Sequence, residues 1–70
     1  MIEYKSVITR IKDKIHICAH EMADKIKEYN NTENYNTKVD IYEEMIEINA
    51  KIKTYEECLK LIRDELKENL

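Results

Sequence analysis

Residues 41–66 read IYEEMIEINAKIKTYEECLKLIRDEL, and the apolar side chains in this stretch fall at Ile41, Met45, Ile48, Ile52, Tyr55, Leu59, Ile62 and Leu66. Steps of four and three alternate throughout. That spacing keeps one stripe of an α-helix in line for almost four heptads, which is the pattern of a coiled-coil seam. The first half of the chain repeats it, with Tyr4, Ile8, Ile11, Ile15, Cys18, Met22, Ile26 and Tyr29 again three or four residues apart. Two long helices follow, each with one apolar face to cover.

Between the stripes lies NNTENYNT (residues 30–37), polar and rich in asparagine. Asn tolerates the left-handed backbone that Gly supplies elsewhere, so the chain is expected to reverse here. Thr37 followed by Asp40 resembles a capping box for the second helix. The sequence thus predicts one domain over residues 1–70, with a first helix at about 3–29, a loop at 30–36 and a second helix at about 37–68. Folded back antiparallel, the stripes meet in register. Ile26 faces Ile41, Met22 faces Met45, Cys18 faces Ile48, Ile15 faces Ile52, Ile11 faces Tyr55, Ile8 faces Leu59 and Tyr4 faces Ile62, with Met1 and Leu66 continuing the series. The predicted fold class is all-α, an antiparallel, coiled-coil-like two-helix hairpin.

Composition agrees. The 70 residues include no Gly and no Pro, which favours uninterrupted helices over turns and strands. Twelve basic and fifteen acidic side chains nearly cancel to a net charge of −3, and they alternate along the chain; nucleic acid and acidic membranes are not expected as partners. No apolar run is long enough for a transmembrane helix, and Met1 to Lys5 lacks the apolar core of a signal peptide, so a cytoplasmic location is expected. Asn30-Asn31-Thr32 matches a glycosylation sequon, which carries no weight without secretion. Cys18 and Cys58 fall about 15 Å apart along the paired helices, too far for a disulfide.

A chain this short buries a small share of its surface, and one seam falls short of the conformational entropy lost on ordering both helices. Helical hairpins meet that deficit by self-association. Val39, Tyr42, Ile46 and Ala50 form a second apolar row on the second helix, turned roughly 100–150° from the seam at about 100° per residue. Ala19 and Ala23 add a small-residue step on the first helix, where Val7 and Ile17, like Cys58 and Leu61 on the second, also lie off the seam. The expected assembly is a homodimer or higher oligomer, a four-helix bundle joined through Val39, Tyr42, Ile46 and Ala50.

Three groups of residues carry candidate chemistry. HICAHE (residues 16–21) contains both histidines and a cysteine, but helical phase turns Cys18 into the seam and His16 and His20 outward, which separates any Cys-His pair. His16 and His20, one turn apart between Asp13 and Asp24, retain a two-ligand metal geometry, against the plainer reading of two solvated histidines. The acidic pairs Glu43-Glu44 and Glu56-Glu57 diverge by about 100° and read as surface charge, as do the i, i+4 pairs Lys53-Glu57 and Glu56-Lys60. With no Gly-rich loop and no catalytic residues, no enzymatic activity and no cofactor are expected. Tyr42, Asn49 and Lys53, joined by Arg10 or Lys14, are a candidate inter-chain site for an anionic, nucleotide-like ligand, an aromatic ring stacking a base while cations hold phosphates. An interface tyrosine with rim charges explains the same residues.

These readings point to a non-enzymatic helical adaptor or inhibitor that acts as a homo-oligomer. Its partners are expected to be itself and either a protein or a small anionic ligand. A sequestering protein that holds a nucleotide-like molecule between chains is the alternative. The Ile, Lys and Asn bias is of the kind found in A+T-rich genomes, and by association alone points to an accessory protein of a phage or mobile element.

Overall fold

Both helices exceed the predicted boundaries at the turn. The computed structural model describes residues 4–68, in which α1 spans Tyr4–Asn31 and α2 spans Tyr35–Glu68, joined by residues 32–34 alone. At 1.5 Å per residue, 28 and 34 residues give rods of roughly 42 and 51 Å, and the molecule measures 54 × 16 × 14 Å. It is one pair of packed helices, as predicted, with nothing laid across either face.

The turn is tighter than expected because its cap lies three residues earlier than Thr37. Asn34 is the N-cap of α2: its side-chain Oδ1 accepts from the Thr37 N–H at 3.1 Å, and its carbonyl accepts from the Lys38 N–H at 3.0 Å. Thr37 is therefore inside the helix as the donor, and the Thr37–Asp40 capping box does not form. Asn ranks above Thr as a cap, and winding the helix back by a turn satisfies that donor at once. At the other side of the turn, the Thr32 hydroxyl donates to the Glu28 carbonyl at 2.7 Å and the Thr32 N–H to the Tyr29 carbonyl at 3.4 Å, closing the end of α1. The left-handed asparagine expected here is not used, since no described residue has a positive φ.

The two stripes meet as the register requires. Cys18, Ile41, Ile48 and Leu59 are buried, Cys18 and Ile48 being one of the expected pairs. Eleven of their neighbours on α2 and α1, from Tyr4 and Ile8 to Ile62 and Leu66, are half-buried on either flank of the seam, as two helices with no third layer must leave them. The exception is Ile26, which is 44% exposed. It lies about 40° from the stripe centre, at one edge of the seam, while Lys25, about 60° away on the other side, reaches across. The pairing of Met1 with Leu66 lies outside the described residues. Both cysteines are free. No described helix is long and apolar enough to cross a membrane.

Candidate interaction face

The Lys25 ammonium fixes which flanks of the two helices share a side of the hairpin. It pairs with Glu28 at 3.4 Å on its own helix and with Glu44 on the other. The hydrogen bond to Glu44 is the main cause raising the lysine pKa above its ordinary value; partial burial opposes it and Glu28 adds to it. Around this pair, Asp24, Lys27, Glu28, Asp40 and Glu44 line an open cleft. We call this side the back.

The front carries the residues the sequence singled out as an interface. Met22, Tyr42, Met45, Ile46 and Asn49 line one depression, and Tyr29, Tyr35, Lys38, Val39 and Tyr42 line the next. Tyr42 belongs to both, so the two form one continuous surface. Tyr42 and Ile46 are each 54% exposed and Val39 is 37% exposed, against 6–7% for the core. Ala50 is exposed at the end of the row. Lys38 places its ammonium 4.8 Å from the centre of the Tyr29 ring and so ties the first turn of α2 to the last turn of α1. The second-row pattern found Val39, Tyr42 and Ile46. It missed Tyr29, Tyr35 and Met22, which complete the surface from the other helix and from the turn. The seven-residue column Tyr35, Tyr42, Asn49 was the available signal.

The candidate ligand residues are only partly brought together. Tyr42 and Asn49 share a depression, and Lys53 stands one turn further along, beside Glu56, Glu57 and Lys60. Arg10 and Lys14 lie on the back by helical phase, so one hairpin does not assemble all five. His16 and His20 are exposed on the outer surface of α1, and Cys18 is buried in the seam behind them. Among the described residues, no group of three or more His, Cys, Asp and Glu could hold a metal ion. The two histidines stand as a pair of possible ligands without a third.

Charge is sorted between the two sides in a way that linear alternation conceals. At about 100° per residue, the front takes Lys5 and Lys12 from α1, and Lys38, Lys53, Lys60, Arg63 and Lys67 from α2, against three acids, Glu56, Glu57 and Asp64, of which Glu56 and Glu57 share a depression with Lys53 and Lys60. Arg10, Lys14, Lys25 and Lys51 fall on the back, where Lys27 also lines the cleft, and acids outnumber bases there. The sequence-based expectation of interspersed charge holds along each helix but not around it.

No known protein family, curated protein or solved structure gives a significant match to this chain.

Proposed function

We propose that the chain is a non-enzymatic interaction protein that works as a homo-oligomer, using the front of the hairpin as its contact surface. The observation that carries this reading is the row Val39, Tyr42 and Ile46. These are large apolar side chains, each more than a third exposed, on a molecule of whose described residues only four are buried below a tenth. Single exposed apolar residues are ordinary, but a contiguous set lining adjoining depressions marks a surface that another molecule covers. A small hairpin also has the stronger need for such cover, because its seam alone removes little apolar area from water.

Light scattering on the eluting protein tests the reading. The wild-type chain is expected above its 8.5 kDa monomer mass at tens of micromolar, and Ile46→Lys is expected to return it to that mass with its helical circular dichroism retained. A monomeric wild type at those concentrations would remove the proposal.

A further inference from the structure

The front and back of the hairpin match each other, and they do so in only one direction. Three seven-residue columns run along the front: Val39, Ile46, Lys53, Lys60, Lys67; then Tyr35, Tyr42, Asn49, Glu56, Arg63; and, on α1, Ile26, Ala19, Lys12, Lys5. Each begins apolar near the turn and ends basic at the open end. All six basic residues in these columns are exposed, and none forms an ion pair or hydrogen bond among the described residues.

The back is arranged the other way round. Its turn half carries Glu21, Asp24 and Glu28 on α1, and Asp40, Glu43, Glu44 and Glu47 on α2, seven acids against the two bases Lys25 and Lys27 that line the same cleft. Its open half carries the apolar groups: Val7 (38% exposed), Leu61 (68% exposed) and the half-buried Cys58, with the exposed Ile17 near the middle. These are the off-seam residues for which one hairpin gives no use.

We infer that the partner of the front is the back of a second copy of this chain, with its long axis reversed. Reversal lays the basic open half of one front over the acidic turn half of the next back. The same step lays the apolar turn half of the front over Val7, Ile17, Cys58 and Leu61. With the second copy set so that Ile46 comes over Ile17, Lys53 comes over Asp24, Lys60 near Glu28, and Lys12 near Glu43 and Glu44. Tyr42 then stands above Arg10 and Lys14, which joins across chains the candidate residues that one hairpin keeps apart.

The other arrangements fail on the same residues. An unreversed stack sets lysines above Arg10, Lys14 and Lys51 and apolar side chains above carboxylates. Two fronts meeting about a two-fold axis set either lysines against lysines or lysines against Ile46 and Val39, and in both cases leave the carboxylates of the backs uncovered. A face 54 Å long and 16 Å wide is of the order of the ~800 Å² per partner that a standard interface buries.

A front-to-back contact leaves one front and one back uncovered at the ends. The assembly is therefore an open, growing stack rather than a closed dimer. This inference rests on the reading of the front as a self-association surface and adds its partner surface, its direction and its lack of closure.

Charge exchange tests it on the full chain. Lys53→Glu with Lys60→Glu makes the front acidic, and Asp24→Lys with Glu28→Lys makes the back basic; all four positions are exposed, and circular dichroism checks that both variants keep their helices. Wild type is expected to increase in mass with concentration without a plateau, and to lose mass as NaCl rises from 0.1 to 1 M, where the screening length falls from ~10 to ~3 Å. Each variant alone is expected to lose at least tenfold in association, and an equimolar mixture of the two to recover it. A plateau at two chains that the back substitutions leave unchanged would overturn the inference while sparing the proposed self-association. A monomer in all samples would overturn both.

Discussion

The start of α2 depends on one side chain, since Asn34 supplies the acceptor for the Thr37 N–H at 3.1 Å and no other described side chain does so. Asn34→Ala is expected to cost about 1 kcal/mol of stability by urea denaturation, the usual cost of a lost N-cap. Thr37→Ala is expected to fall within ~0.5 kcal/mol of wild type, as surface changes do. The reverse order would restore the capping box at Thr37. Sequence rules could not separate the two because both residues are good caps, and Asp40 three residues on favoured the wrong one. Only the length of the turn, set by how the helices pair, decides between them. At Lys25 the sign of the pH effect follows from the ion pair. Its folded-state pKa is raised by Glu44, so the pair's contribution is present below the ordinary lysine value of about 10.4 and is lost as pH rises through the raised one. The difference in urea midpoint between wild type and Lys25→Gln should therefore be steady near neutral pH and close above that value. A difference that persists in strong alkali would show that Lys25 acts by packing rather than charge.

At the scale of the elements, the seam was legible because its signal is redundant: eight apolar positions on each helix repeat one period, and the two series agree in register. Ile48, buried at 6% opposite Cys18, is expected to cost about 2–5 kcal/mol on truncation to Ala. Ile46, two residues away and 54% exposed, should cost within ~0.5 kcal/mol when measured on dilute, unassociated protein. Similar losses at both positions would contradict the placement of the seam. Ile26 shows the limit of the pattern. Spacing alone admitted it to the stripe, but its phase puts it at the edge, where a third helix or a second molecule is needed to bury it. The Val39 row was visible on α2 as a displaced repeat. Its continuation onto Met22 and Tyr29 was not, because it depends on which flank of α1 lies beside it.

For the whole molecule, the same limitation hid the distribution of charge. Acids and bases alternate along the chain, and their segregation into a basic front and an acidic back follows only when two helical phases are combined with the side fixed by the Lys25–Glu44 pair. Likewise, the boundaries of the hairpin and its core were readable, while the surface that another molecule would cover was half visible, since half of it belongs to each helix. A rod 54 Å long and two helices thick has no interior beyond its seam, so any function it performs is performed on these surfaces. The claim on which the account depends is that the front is covered by another copy of the chain. Sedimentation equilibrium of the wild-type protein over a hundredfold range of concentration tests it most directly. The account predicts a weight-average mass that rises steadily above 8.5 kDa; a mass that stays at 8.5 kDa throughout would contradict it.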